Sequence, residues 1–321
     1  MITWGAVGNS HDASLAVFSY ETLVWAGLAK DFSGVNHDPD LNREILDYAI
    51  SKWGYPSHIV WYERPVLKSF RQLWAGQGWL LKENNIEDYF ESRGIPHPNI
   101  IYTQHHHSHA AYAYYTQPED DCAVICLDSI GEFETLTVWH GKNGKLKKIH
   151  SQGYPHSPGL FYSSMTQRVG LVPQRDEYMI ADMGKDLDPN HYKNLIKSDL
   201  IKKMPSITDP RWLFKENLHR GCRWWRPEIK SDHALKKLAA STQSIFEEAV
   251  TGLSMYAKAA TNSSNLALAG GGALNRKAVD KIRKDWTNIH VPKNPGDPGS
   301  CIGAVLAQWK TRIDIENKWH T

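Results

Sequence analysis

The chain has 321 residues, of which 41% are hydrophobic and 22% are charged, enough apolar sequence to bury one large domain or two lobes. Its 37 lysines and arginines nearly balance its 35 aspartates and glutamates, so only a local patch of charge is available to a polyanion. No apolar run reaches the roughly 18 residues of a membrane span, and the N-terminus lacks the pattern of a signal peptide. These features exclude a membrane span and predict a cytoplasmic protein. The cysteines form no CxxC pair or disulfide framework, which predicts reduced thiols at Cys122, Cys126, Cys222 and Cys301.

Two segments of the chain have the same pattern of predicted elements. Residues 2–29 give an apolar strand, a polar turn at residues 9–12, a second strand, a tight turn and a third strand. Residues 121–151 repeat this order, with an acidic turn at residues 128–132 and a Gly-Lys-Asn-Gly hairpin. The duplication predicts two similar α/β lobes that face each other, with both acidic turns lining the cleft between them.

Helical and strand-like runs complete each predicted lobe. In the first lobe, residues 41–54 have helical spacing and end at a glycine, and residues 58–65 and 99–104 read as strands. In the second lobe, residues 233–262 form a long amphipathic helix, and "NLALAGGGALNRKAV" reads as strand, glycine loop and helix. We therefore place the first lobe at residues 1–118 and the second at residues 119–321.

One segment of the second lobe differs in character from the rest of the chain. Residues 185–237 contain 13 lysines and arginines against 7 aspartates and glutamates, show no clear period, and include "RGCRWWRPEIK". The segment reads as an insertion or lid with a basic, aromatic surface. Phosphate contacts together with base stacking need such a surface, and a solvated exterior with tryptophans packed inside is an equally good interpretation.

Four histidines fall within five positions in "YTQHHHSHAAYAYY". If a helix begins near His105, then His105 and His109 stand one turn apart on one face, close enough to bind one metal ion. His107 points away from that pair, and His106 lies to the side. Because HxxxH is a short pattern, ordinary buried or surface histidines are the more frequent explanation of it alone.

Two aspartates and a glycine loop strengthen the metal hypothesis. Asp128 ends a buried strand, with Gly131 and Glu132 behind it, and Asp297 lies between glycines and prolines just before a helix. Two histidines and two aspartates form a mixed nitrogen and oxygen site suited to Fe(II), Mn(II) or Zn(II). The loop "LAGGGALNRK" allows the backbone to approach a phosphate or adenosine closely, although such loops are often only tight turns.

These residues carry a resemblance to a known family. The segments "HDASLAVF", "WYERPVLKSF", "HHHSHAAYAYY", "LDSIGE", "SPGLFYSSMTQRVGL", "AASTQSIFEEA", "GGGALN" and "GDPGSCIGAVLA" occur in the order seen in the O-carbamoyltransferases of nodulation and antibiotic tailoring. The catalytic domain of that family is similar to that of the tRNA threonylcarbamoyl-transferases. The resemblance implies an α/β, two-lobed actin/Hsp70/sugar-kinase-like fold with duplicated RNase H-like lobes. It extends over nearly the whole chain.

The resemblance also implies roles for individual residues. His105, His109, Asp128 and Asp297 match the metal site of the family, which usually holds iron; Mn²⁺, Zn²⁺ and Mg²⁺ are the alternatives. His11 and Asp12 match the turn that faces the phosphates and the carbamoyl group, and either is a candidate for the general base. The remaining candidates for binding the nucleotide or the carbamoyl group are Lys68, His106, Gly131, Glu132, Gly270, Gly271, Gly272 and Asn275. In the family, carbamoyl phosphate and ATP give carbamoyladenylate, and the carbamoyl group then passes to a hydroxyl.

Two departures from the family pattern bear on the donor and on the acceptor. Antibiotic-type members carry a further C-terminal domain that forms the adenylate, so we expect either a separate carbamoyladenylate-forming protein or direct use of carbamoyl phosphate. The family run "EYKVMGLA", which borders the acceptor, is here "DEYMIADMG", with Met179 in place of the lysine and an aspartate at position 182. We therefore expect an acceptor other than the sugars and macrolides of better-known members.

Short, tryptophan-rich chains of this kind look like bacteriophage-encoded members, which would act in the host cytoplasm. The predicted acceptor is then a hydroxymethylated pyrimidine such as 5-hydroxymethylcytosine in DNA, reached as a flipped or single-stranded base. The residues predicted to contact it are Arg220, Arg223, Trp224, Trp225 and Arg226. A free nucleotide, sugar or other small alcohol is the alternative acceptor. An ATPase or phosphotransferase of the same fold, or a non-catalytic subunit, is the alternative activity.

Overall fold

The computed structural model describes residues 1–96 and 98–320, and each half of the chain begins with three consecutive strands. The strands of the N-terminal half are β1 Ile2–Val7, β2 Ser14–Ser19, β3 Thr22–Leu28, β4 His58–Trp61 and β5 Ile100–Tyr102. Its helices are α1 Lys30–Ser33, α2 Arg43–Trp53, α3 Pro65–Trp74, α4 Ile86–Glu91 and α5 His105–Tyr115. Helix α2 begins where the Asn42 side chain accepts a hydrogen bond from the amide of Ile45, and it ends at Gly54.

The C-terminal half has more elements. Its strands are β6 Cys122–Gly131, β7 Glu134–Lys142, β8 Lys145–Gly153, β9 Ile201–Lys203, β10 Leu213–Phe214, β11 Asn265–Ala269 and β12 Asn288–His290. Its α-helices are α6 Pro158–Arg168, α7 Glu177–Met183, α8 Lys193–Leu200, α9 Asp232–Thr261, α10 Arg276–Ile282 and α11 Ser300–Trp309. Short 3-10 turns cover Leu218–Arg220, Gly271–Leu274, Arg283–Asp285 and Asp297–Gly299.

The two main sheets have the same topology. The first has strand order β3-β2-β1-β4-β5, and the second has the equivalent order β8-β7-β6-β11-β12. In each sheet the first three strands are antiparallel, and the last two run parallel to the central one. This repetition confirms the predicted duplication of RNase H-like units in an actin/Hsp70/sugar-kinase-like fold.

Helices α5 and α11 connect the two halves. Helix α5 follows the first sheet but packs on β6, whereas α11 follows the second sheet but packs on β1, and the two helices also pack on each other. Glycine makes this contact possible, because a Cβ atom on Gly303 would lie 2.0 Å from the carbonyl oxygen of Ser108. The N-termini of both helices consequently meet between the sheets.

The second sheet separates two hydrophobic cores. Alternate residues of β6 point to opposite faces, so Val124 belongs to the core that contains α5 and α11, and Ile125 belongs to the core that contains α9. Helix α9 is capped by Ser231 at its start and by the left-handed Asn262 at its end. Among the described residues, no helix is both long and apolar enough to cross a bilayer, and all four cysteines are free and buried.

Candidate metal centre and its surroundings

Four predicted ligands meet where the two central helices begin. His105 is the first residue of α5, and His109 lies one turn later. Asp128 lies near the end of β6, beyond its regular pairing with β7, and Asp297 begins the 3-10 turn that leads into α11. The ligand atoms of the four side chains all lie within 4.8 Å of one another. The structure thus brings the four predicted residues together.

The distances within this cluster match those between ligands of one small cation. The Nε2 atoms of His105 and His109 are 3.0 Å apart. The Nε2 atom of His105 lies 3.2 Å from Asp128 Oδ2 and 3.3 Å from Asp297 Oδ1, and Asp297 Oδ1 lies 3.4 Å from His109 Nε2. Ligands about 2.1 Å from a metal are separated by roughly 3.0 Å at right angles and roughly 3.4 Å at tetrahedral angles. The donor set therefore fits a metal ion.

A neighbouring hydroxyl orients the imidazole of His109, and a carboxylate lies near that of His105. Ser300 Oγ lies 3.2 Å from Nδ1 of His109, so this nitrogen can carry the proton and leave Nε2 free as a ligand. The Nδ1 atom of His105 is buried without a hydrogen-bond partner among the described residues, and Glu63 Oε2 lies 3.9 Å from it. A small movement would give His105 the carboxylate partner that metal-binding histidines commonly have.

The electrostatics of the cluster favour ionised carboxylates. Burial alone would raise the pKa of Asp297, but His105 and His109 beside it hold that pKa well below its usual value. Asp128 is partly exposed, and although desolvation also opposes its ionisation, its hydrogen bond with His105 lowers its pKa in the same way. Because both carboxylates are ionised at neutral pH, they are ready to bind a cation.

The turn between β1 and β2 lies beside the cluster. Ser10 Oγ donates a hydrogen bond of 3.4 Å to Asp297, and the carboxylate of Asp12 contacts Nδ1 of both His11 (3.3 Å) and His37 (3.1 Å). The hydrogen bond with Asp12 raises the pKa of His11 to about 9 despite its partial burial. Burial opposes ionisation of Asp12, but the bonds from the two histidines bring its pKa below the ordinary value. His11 is consequently a cation at neutral pH, and Asp12 is an anion.

Two predicted ligand-binding residues are engaged with other parts of the protein. The ammonium of Lys68 binds Glu63 Oε1 at 2.6 Å and the carbonyl oxygen of Asn9 at 2.9 Å, so a phosphate could use only its remaining donor. Glu132 is almost fully buried and accepts hydrogen bonds from the Arg64 side chain at 3.0 and 3.3 Å and from its amide at 2.6 Å. In this structure both side chains therefore stabilise the protein around the cleft through these hydrogen bonds.

His106 is fully buried, with its Nδ1 atom 3.0 Å from the hydroxyl of Thr137. Burial lowers the pKa of His106 to about 3, so it is neutral. It lies next to the metal ligand His105, and its contact with Thr137 links α5 to β7. The predicted contact of His106 with a nucleotide would require it to leave this position.

The glycine-rich loop lies next to the cluster. A Cβ atom on Gly271 would lie 3.7 Å from Oδ1 of Asp128, and Gly270 has a positive φ of 81° that favours glycine. Gly272 packs against Leu127. Asn275 caps α10 and exchanges two side-chain hydrogen bonds of 2.9 Å with Gln243. The backbone of Gly271 thus lies beside the metal cluster, while the side-chain amide of Asn275 is already hydrogen-bonded to Gln243.

Glycine is also required where the β6–β7 turn meets the cluster. A Cβ atom on Gly131 would approach the ring of His105 to 2.1 Å. Any larger residue at position 131 would therefore displace the metal-binding ring.

The basic segment at residues 185–237 is largely a packed part of the second core, which corrects its interpretation as a lid. Trp225 is only 4% exposed, and its Nε1 atom donates a hydrogen bond of 3.1 Å to Asp199. Arg226 binds the same carboxylate at 2.8 Å. Trp225 is therefore not a stacking surface for a base, and the charge of Arg226 is neutralised within the protein. Arg220, Arg223 and Trp224 remain exposed.

Sequence reasoning missed three side chains that shape this site: His37, Glu63 and Ser300. His37 belongs to a loop distant in sequence from Asp12, and Ser300 looks like an ordinary residue at the start of a helix. No spacing in the sequence connects them to the histidines. Their roles depend entirely on contacts between distant segments.

Comparison with known proteins gives a consistent assignment. The family described as carbamoyltransferase N-terminus matches residues 62–306. An uncharacterized protein of Synechocystis sp. is 26% identical over 348 residues, covering 95% of this chain and 56% of that protein. The nodulation protein NolNO of Sinorhizobium fredii is 24% identical over 215 residues, covering 64% of this chain and 31% of its own length. The chain thus spans little more than half the length of the first of these relatives.

A solved structure supports the fold. The activator of the 2-hydroxyisocaproyl-CoA dehydratase from Clostridium difficile, solved with bound ADPNP, superposes with a TM-score of 0.51 at 13% identity. The similarity covers 97% of this chain and 96% of that one. The matched sequence, the duplicated sheets and the His/Asp cluster between them agree with the resemblance found in the sequence, and the chain belongs to the carbamoyltransferase family.

Proposed function

We propose that this protein transfers a carbamoyl group to a hydroxyl, with the hydroxymethyl group of a modified pyrimidine such as 5-hydroxymethylcytosine in DNA as the acceptor. The donor is carbamoyladenylate, formed from carbamoyl phosphate and ATP. The observation that carries the proposal is a complete His/Asp donor set between the two lobes of a carbamoyltransferase-family chain.

The residues that would hold the metal are His105, His109, Asp128 and Asp297, and Fe²⁺ is the first candidate for this mixed donor set. A bound divalent cation would supply positive charge to the phosphate and carbonyl oxygens of the donor. The glycine loop around Gly271 would place its backbone against the adenosine, as the resemblance implies. Its closeness to Asp128 supports this arrangement.

Residues of the β1–β2 turn would take the proton of the acceptor and bind an anionic oxygen of the donor. In the transfer, the acceptor oxygen attacks the carbamoyl carbon, the bond from that carbon to the AMP oxygen breaks, and AMP leaves with the electron pair. The acceptor proton passes to a base, for which the ionised Asp12 is the candidate on this turn. Protonated His11 would donate a hydrogen bond to an anionic oxygen of the donor.

The test is an incubation of the purified protein with carbamoyl phosphate, ATP and a panel of acceptors, read by mass spectrometry. The panel contains hydroxymethylcytosine DNA, the corresponding nucleotide and a free sugar. We expect a gain of one carbamoyl group on the DNA and none with Asp297→Asn protein. Parallel reactions with added carbamoyladenylate would show whether the chain needs a partner to make the donor. Hydrolysis of ATP without any carbamoylated product would favour the ATPase alternative instead.

A further inference from the structure

A cleft of about 370 Å³ opens between the two halves of the molecule, beside the β6–β7 turn. Its lining residues are Trp74, Ala75, Tyr154, Pro155, Asn217, His219 and Arg220. Trp74 ends α3 and is 63% exposed, yet its ring is held by Tyr154 at 5.6 Å and Phe133 at 5.9 Å between centroids. A fixed but accessible indole is a surface on which a flat ring can stack.

The opposite wall of the cleft offers hydrogen-bond donors. The hydroxyl of Tyr154 accepts from Asn217 Nδ2 at 2.7 Å, so it can donate to Nδ1 of His219 at 3.3 Å. This arrangement leaves Nε2 as the donor nitrogen of His219, which lines the cleft. Burial, together with the charges of Arg71 and Arg220, lowers the pKa of His219 and keeps the ring neutral.

The charge of the cleft favours an anion. None of its lining residues carries a carboxylate. In the part of the chain that the structure describes, Arg220 forms no ion pair. A second cleft of about 420 Å³ is different, because it is lined by Leu171, Tyr178, Met179, Asp182 and Met183, without a cationic side chain among them. A phosphate is therefore better accommodated beside Arg220 than beside Asp182.

The first cleft is also connected to the metal cluster. Gly131 touches the ring of His105, and Phe133 touches Trp74, so residues 131–133 join the two sites. Three extended residues span at most about 10 Å. The turn is fixed in place, since Arg71 donates a hydrogen bond of 3.2 Å to the carbonyl oxygen of Glu132.

We infer that this cleft binds the acceptor and that the acceptor enters it as a nucleotide unit, with its base against Trp74 and its phosphate on Arg220. The role of the bound nucleotide as acceptor rests on the proposed function. The binding of a nucleotide in this cleft does not. A free nucleotide and a nucleotide within a single strand share this chemistry.

The test compares two ligands and two pairs of matched variants by calorimetry. The ligands are hydroxymethyl-dCMP and a short single-stranded oligonucleotide with one hydroxymethylcytosine. Trp74→Ala should weaken binding by roughly 5- to 150-fold, the loss expected for one stacked base. Arg220→Ala should weaken binding and reduce the salt slope for the oligonucleotide by about 0.7, the contribution of one phosphate. The controls Trp79→Ala and Arg43→Ala remove an exposed tryptophan and an exposed arginine that do not line the cleft, and should change binding little.

The possible outcomes separate the inference from the proposed function. Weaker binding of either ligand by the Trp74 and Arg220 variants supports the inference. The ligand that the native protein binds more tightly shows whether the natural ligand is a free nucleotide or a nucleotide within a strand. Native affinity in both variants, or no binding of either ligand to the native protein, would overturn it. Nucleotide binding that depends on these residues, without carbamoyl transfer, would leave the inference standing and refute the proposed function. Carbamoyl transfer that is unaffected by both substitutions would refute the inference and leave the proposed function standing.

Discussion

At the scale of single residues, the site is organised by the second nitrogen of each imidazole. Ser300 lies within hydrogen-bond distance of Nδ1 of His109, and Glu63 lies 3.9 Å from Nδ1 of His105. Both Nε2 atoms face Asp297. Such supporting contacts fix the tautomer and the direction of a metal-binding ring. The cluster is therefore prepared for a cation by residues that would not touch it.

Replacement of His109 by alanine should remove bound metal from the purified protein. The variant loses one of four ligands, and the cavity it leaves is surrounded by two carboxylates and one imidazole. Elemental analysis should show strongly reduced occupancy. The control is His107→Ala on the same helix, since His107 stacks on Trp139 at 5.3 Å and lies outside the cluster. Equal metal content in both variants would contradict the assignment.

The raised pKa of His11 predicts a pH limit on binding of the anionic substrate carbamoyl phosphate. A histidine with a pKa of about 9 stays protonated through neutral pH and loses its charge as the pH rises through about 9. Affinity for carbamoyl phosphate, measured by calorimetry from pH 7 to pH 10, should therefore fall above about pH 9. His11→Asn should bind more weakly at pH 7 and lack this dependence. A native profile that is flat to pH 10 would exclude a charged His11 from the anion site.

At the scale of the elements, the contact between α5 and α11 sets the positions of three ligands. Gly303 allows the helices to touch, since its Cβ would meet Ser108 and Tyr112 of α5 at 2.0 and 2.8 Å. His105 and His109 lie on one of these helices, and Asp297 directly precedes the other. Any separation of the helices would consequently change the distances among the ligands.

Gly303→Ala should destabilise the protein although alanine favours helix. Overpacking costs about 1–3 kcal/mol, which exceeds the gain of about 1 kcal/mol from helix propensity. We expect a lower midpoint of urea denaturation and a weaker metal affinity. A stabilised variant with native metal affinity would show that the two helices are not in close contact.

At the scale of the whole molecule, the two halves are tied together across the cleft. Arg64, at the start of α3, pairs with Glu132 of the β6–β7 turn, and Glu132 is 4% exposed. Arg71 of the same helix binds the backbone of that turn. The link between the halves thus lies next to the candidate acceptor cleft, because Arg71 and the cleft residue Trp74 belong to the same helix.

Glu132→Gln should weaken this link by about 1.5–3 kcal/mol, the usual contribution of hydrogen bonds to a charged group. Urea denaturation would measure the loss. Asp47→Asn is the control, because its ion pair with Arg43 on α2 is exposed on both sides and should contribute less than about 1 kcal/mol. Equal effects of the two substitutions would mean that the pair between the halves adds no special stability.

Much of this protein could be predicted from its sequence. The alternation of apolar residues marks the strands, and the repeated strand, turn and strand pattern predicted the duplicated lobes that the sheets confirm. The HxxxH spacing fixes two ligands on one helical face as soon as the helix begins at His105. Asp128 and Asp297 are identifiable as candidates because a carboxylate at the end of a buried strand, or in a loop just before a helix, can face a cleft between the lobes.

Tertiary structure alone decided the rest. The pairing of His37 with Asp12, of Ser300 with His109 and of Glu132 with Arg64 joins residues that no period or motif relates. The two neighbouring tryptophans at 224 and 225 show the limit most clearly, since one is 58% exposed and the other 4% exposed. Local sequence gives both the same composition and charge. Only the packing of the segment against the second core determines which indole faces solvent, because burial depends on what the rest of the chain places against it.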